Sequence, residues 1–164
     1  MDSIGTALVV DNDEQRVTAL AQLVRELGYE TEVYTDANVA REYLHHRPDL
    51  DVILCEMDME GLSWDFASRT LKEMDVQIPV ILLSDEAQAE RMMRALRVGA
   101  SDFFVRPIDD KQALKRSMER CTRQRQVRRE LEQSRHSLEA ANTELRGTIK
   151  MLEQDQQAGR QVQM

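Results

Sequence analysis

Four apolar runs in this chain end abruptly on polar side chains. ALVV (7–10) runs into Asp11, Asn12 and Asp13, and DVILC (51–55) runs into Glu56, with Asp58 two residues on. IPVILL (78–83) ends at Ser84, and DFFV (102–105) ends at Arg106-Pro107. Clustered carboxylates repel one another and cost stability, so their natural partner is a divalent, oxygen-seeking cation such as Mg2+. A hydroxyl and a guanidinium facing them could hold an anion, or one of the carboxylates themselves.

Something must bring these four ends together. ALVV, DVILC and IPVILL are short continuous apolar runs, the pattern of strands buried on both faces, whereas TEVYT (31–35) and DFFV are shorter or alternate, as edge strands do. Between them lie apolar residues at helical spacing. Val17, Leu20, Ala21, Val24 and Leu27 stop at Gly28; Val39, Ala40, Tyr43 and Leu44 follow; then come Phe66, Leu71 and Met74, and finally Ala89, Met92, Met93 and Leu96 before Gly99. Strand and helix alternating five times implies an α/β fold, with a doubly wound parallel sheet, right-handed crossovers and helices on both faces. The carboxyl ends of the central strands then line one edge, where ligands bind at the topological switch point.

Composition limits what else the chain can be. Its 164 residues are 41% hydrophobic and 32% charged, enough for one core with a polar appendage. No stretch is long enough to span a bilayer and MDSIGTALVV lacks the features of a signal peptide, so the expected location is the cytoplasm. Cys55 and Cys121 have no metal-like spacing and are expected as reduced thiols; His45 and His46, adjacent on a helix, point to different faces. Charge is distributed unevenly: residues 1–114 carry a net −12, residues 115–129 a net +6 and residues 130–164 a net −2. The basic stretch KRSMERCTRQRQVRR has charges all round the helix, without aromatic residues or a recognition motif, so it is expected to be solvated and nucleic acid is not an expected partner.

The segments VVDND (9–13), VILCEMDMEGL (52–62), IPVILLSD (78–85) and GASDFFVRP (99–107) resemble the receiver domain of bacterial two-component response regulators, over residues 5 to about 122. The resemblance implies a five-stranded sheet in the order 2-1-3-4-5. It implies that Asp11 and Asn12 help bind Mg2+ and that the backbone at Asp58 completes the metal site. By the same resemblance Ser84 and the Arg106 position would contact a phosphoryl group, Phe103 would move with it, and Glu56 would stand at the phospho-acceptor position. Phe103 also fits a plain core role, and Met92 and Met93 are expected as ordinary packing.

Two departures fall on the reactive positions: the family's acceptor is an aspartate and its Arg106 position a lysine. Glutamate carries its carboxylate roughly 1.5 Å farther out, and a misplacement of about 1 Å can cost about 100-fold in rate. Arginine fits the shift, because its planar fork grips a carboxylate where lysine offers a point charge. The sequence therefore predicts a Glu56–Arg106 ion pair that imitates the phosphorylated contacts. The imitation should be partial, since one glutamate supplies less charge than a phosphate. Mg2+ binding, if retained, should be weakened. Two other readings stand beside this one: Glu56 as an inert remnant, and a still phosphorylatable receiver with weak autophosphatase activity that uses another acid, Asp58 first.

Leu114, Met118 and Cys121 should pack the closing helix on the body, after which Leu131, Leu138, Leu145 and Leu152 recur every seven residues. With these at d, the a positions are Arg128, Arg135, Asn142, Ile149 and Gln156, so a buried asparagine would set register in a parallel dimer. The expected division is a receiver over 1–122 and a coiled-coil signalling helix over 123–164, with a homodimer seam of Leu131, Leu138, Asn142, Leu145, Ile149 and Leu152. The tail LEQDQQAGRQVQM stops in mid-helix, so an output domain is expected beyond it. The ending resembles the linker before PP2C-type phosphatase domains of some response regulators, and a regulatory partner protein is the other target. No catalytic residues are expected within the chain, which reads as a non-enzymatic signal-transduction module.

Overall fold

The computed structural model describes residues 2–46, 49–59 and 78–162, with side chains described as far as 158. By its internal contacts the chain forms two compact units, residues 1–126 and 127–164. The first is built on strands β1 (Gly5–Val10), β2 (Tyr29–Tyr34), β3 (Val52–Glu56), β4 (Val80–Ser84) and β5 (Asp102–Val105). All pair in parallel, in the order β2-β1-β3-β4-β5. The fold is therefore the doubly wound α/β sheet that the alternating apolar runs predict. The helices are α1 (Glu14–Glu26), α2 (Ala37–His46), α3 (Ala89–Arg97) and α4 (Lys111–Val162). The helix expected around Phe66, Leu71 and Met74 lies outside the described residues.

Successive strand residues point to opposite faces, so each central strand feeds two cores. On one face Leu8, Val10, Ile53 and Leu82 pack with Ala40 of α2, Ala95 of α3 and Phe103. On the other, Ala7, Val9, Leu54, Ile81 and Leu83 pack with Val17, Leu20 and Val24 of α1 and with Leu114, Met118 and Cys121 of α4. Every residue of β3 and β4 is buried, as continuous apolar runs require. Phe103 is thus a core side chain, while Met93 is exposed.

Local signals fix where α1 begins and ends. Asp13 is its N-cap, accepting from the backbone N–H groups of Gln15 and Arg16, each at 3.0 Å. Gly28 follows the last turn at φ +102°, the left-handed conformation that favours glycine after a helix. One basic residue departs from the solvated stretch predicted over 115–129: Arg125 is buried and its Nε donates to the Leu50 carbonyl at 3.3 Å. Its long apolar stem lets it lie on the core while the guanidinium reaches a backbone carbonyl.

The second unit is the remainder of α4. Its leucines at 131, 138, 145 and 152 are exposed, as is Ile149. Among the described residues no helix is long and apolar enough to cross a membrane.

Candidate functional site at the carboxyl edge of the sheet

Register places the reactive candidates side by side. Val10 pairs with Cys55, Glu56 with Leu83 and Ser84 with Val105, so Asp11, Glu56, Ser84 and Arg106 emerge together where β1, β3, β4 and β5 end. Asp11, Glu56 and Ser84 are all buried. A buried carboxylate is costly unless it is paired and hydrogen-bonded, so its partners determine what the site can do.

Arg106 is the hub. Its Nη2 pairs with Glu56 Oε2 and donates to Asp11 Oδ2 at 3.1 Å, and its Nη1 donates to Asp85 Oδ1 at 3.1 Å. Among the described residues Glu56 Oε2 takes no hydrogen bond beyond this ion pair; Oε1 accepts from the Asp58 backbone N–H at 3.2 Å. The extra methylene of glutamate carries the carboxylate out to the guanidinium, and the planar fork lets one arginine reach three acids, where an ammonium would offer a point charge.

Sequence reasoning missed Arg16. Its Nε and Nη2 grip Asp11 at 3.1 and 2.9 Å, and its Nη1 reaches Asp85 at 3.1 Å. Asp11, Arg16, Asp85 and Arg106 therefore form a closed ring of alternating charge. The Asp11 hydrogen bonds drive the Arg16 pKa upward. The sequence holds only half of this signal: the cap at Asp13 starts α1 beside the site and puts Arg16 in the first turn, but the rotation of the helix decides whether its guanidinium faces Asp11.

Asp58 is exposed but paired. Arg91 of α3 pairs with both of its oxygens, and Ser84 Oγ donates to its Oδ2 at 3.2 Å. The hydrogen bond from Arg91 leads the causes that hold the Asp58 carboxyl below its ordinary 3.8. A depressed carboxylate pKa contributes stability above 3.8 that is lost as the pH falls through the lower folded value. Replacing Arg91 by alanine should return the Asp58 midpoint toward 3.8 in a carbon-detected NMR titration. An unmoved midpoint would show that Arg91 is not its cause. Ser84 also accepts from the Glu86 N–H at 3.1 Å, so its hydroxyl already has two partners.

The two cysteines carry no chemistry here. Both are free and buried, and burial pushes the Cys55 thiol up to about 12.

A divalent cation would find the acids of this edge already engaged. A carboxylate offers about four lone-pair positions, and Asp11 uses four: it accepts from the Asp13 N–H, from Arg16 twice and from Arg106. Asn12 is exposed and its Oδ1 lies 3.5 Å from Arg16 Nη2. Among the described residues no group of three or more His, Cys, Asp or Glu side chains could hold a metal ion. This arrangement does not fit Mg2+ unless guanidiniums leave.

Comparison with known proteins agrees with this geometry. The sequence matches the response regulator receiver domain over residues 7–118. It is 28% identical to the response regulator protein TodT of Pseudomonas putida over 69% of this chain and 49% of TodT. It is 29% identical to the transcriptional regulatory protein ZraR of Escherichia coli O157:H7, over 62% of this chain and 23% of that protein. The chain thus spans about half the length of TodT and about a quarter of ZraR. Among solved structures, response regulator StyR superposes with a TM-score of 0.72 at 27% identity, covering 82% of this chain and 67% of that one. A receiver domain protein from Clostridium thermocellum shares the fold, with a TM-score of 0.68 at 18% identity over 76% of this chain and 98% of its own. Receiver domains are generally non-enzymatic signalling modules; they typically bind Mg2+ at the acidic site and often dimerise. With the sheet order, the carboxyl-edge site and the sequence match in agreement, the chain belongs to the response regulator receiver domain family.

Proposed function

We propose that this chain is a receiver that signals without phosphoryl transfer. Glu56 occupies the phospho-acceptor position and Arg106 the position of the phosphoryl-contacting lysine. Their ion pair, which closes the site from within, is the observation that carries the reading. The negative charge that a phosphoryl group would bring is supplied in part by the glutamate, and the guanidinium that grips it ties β3 to β5 permanently. Ser84 and Phe103, the other switch positions, support a fixed state: the hydroxyl is engaged with Asp58 and the ring lies in the core. Asp58 is a poor substitute acceptor because Arg91 and Ser84 hold its carboxylate.

The module works as a parallel dimer in the cytoplasm. Residues 1–122 form the receiver, and residues 123–164 the signalling helix. Leu131, Leu138, Asn142, Leu145, Ile149 and Leu152 form the seam, and the helix positions an output such as a PP2C-type phosphatase domain, or a regulatory partner. Supporting this is the exposure of seam leucines at strict seven-residue spacing. Sedimentation of the chain with and without a small-molecule phosphodonor tests the reading. The same dimerisation constant is expected in both, and a constant that shifts on adding the donor would refute phosphorylation independence.

A further inference from the structure

Receivers typically place a divalent cation among their acids; this chain sets three guanidiniums in the same place. Asp11, Glu56, Asp58 and Asp85 contribute four negative charges, and Arg16, Arg91 and Arg106 return three positive ones through direct pairs. The charge that would draw a divalent ion is therefore largely cancelled before any ion arrives. Arg16 is the decisive member. Glu56 and Arg106 satisfy each other, but Asp11 is buried, and Arg16 occupies two of its four acceptor positions while bridging to Asp85.

We infer that the Arg16 guanidinium is the resident cation of this pocket and stands in for Mg2+, so that the receiver is independent of divalent metal. Because the guanidinium belongs to the chain, no change in metal concentration can empty the site. A metal ion would have to displace both arms of Arg16 from Asp11 and leave that side chain, about two-thirds buried, with only Asp85 and the weak Asn12 contact among the described residues. Such competition lowers apparent metal affinity by the fraction of molecules in which Arg16 has swung away. The inference deepens the reading of Glu56 and Arg106 above, since it describes the same pocket, but it concerns metal occupancy and not phosphoryl transfer.

The test is Mn2+ titration of the full 15N-labelled chain, following paramagnetic broadening of the Asp11, Asn12 and Asp58 amides, with Mg2+ competition to establish specificity. In the native protein no saturable broadening at these amides is expected up to millimolar Mn2+. In Arg16→Ala, Asp11 regains free lone pairs, and Mn2+ should bind at least about tenfold more tightly and be displaced by Mg2+. Saturable, Mg2+-competed broadening in the native protein, or equal affinity in the two proteins, would overturn the inference. Should Arg16→Ala fail to fold, the native protein decides the question through its Arg16 Nε–H resonance. That signal is expected unchanged in millimolar Mg2+, and a saturable shift would overturn the inference. A native protein that accepts a phosphoryl group yet gives no broadening would sink the proposed function and leave the resident cation standing.

Discussion

Replacing Arg106 by alanine is expected to lower the unfolding free energy by about 3 kcal/mol or more, measured as a reduced urea midpoint at unchanged m. Arg106 is only 16% exposed and its guanidinium meets Asp11, Glu56 and Asp85 together. Without it Asp11 keeps Arg16, whereas buried Glu56 keeps, among the described residues, only the Asp58 N–H. An uncompensated buried charge, not the loss of attraction as such, dominates the effect. The Glu56→Ala/Arg106→Ala double variant should therefore recover part of the loss, giving a non-additive cycle. Arg106→Lys should fall between native and alanine, because it keeps the charge without the fork. An Arg106→Ala midpoint indistinguishable from native would mean that the pair contributes nothing to holding the sheet edge together.

Introducing aspartate at Leu138 and Leu145 together is expected to weaken self-association by at least about 100-fold, since burying each leucine contributes about 1.5–3 kcal/mol and every 1.4 kcal/mol is about tenfold. These side chains are 70% and 58% exposed along the helix. A helix whose leucines recur every seven residues presents one stripe, and in the proposed dimer a second copy of the same stripe would cover it. The a positions are mostly polar, so the leucines at d must carry most of the association. The figure is a lower bound, because both chains of a dimer lose both leucines. Residues 1–126 form their own compact unit, so the receiver should remain folded. Unchanged sedimentation in this variant would remove the parallel coiled coil from the account.

The sheet was legible because its chemistry is local. Continuous apolar runs become strands buried on both faces, and Gly28 closes the helix that Val17, Leu20 and Val24 begin. The edge site was legible because strand ends are positions in a fixed topology, so Asp11, Glu56, Ser84 and Arg106 had to emerge together. The guanidiniums of Arg16 and Arg91 were not legible in the same way. Each sits on a helix whose rotation about its axis decides whether it faces the acids, and a run such as DNDEQR or EAQAERMM shows charge without direction. Arg125 was misread for the same reason: in a stretch with charge on every side, only packing reveals which arginine lies over Leu50.

In the function proposed here Glu56 and Arg106 replace phosphoryl transfer with a permanent internal pair. Intact mass spectrometry of the native chain after incubation with Mg2+ and a small-molecule phosphodonor tests it most directly. The native mass is expected unchanged. A single phosphoryl adduct on the native protein, mapped to Asp58 or to Glu56 itself, would contradict that replacement.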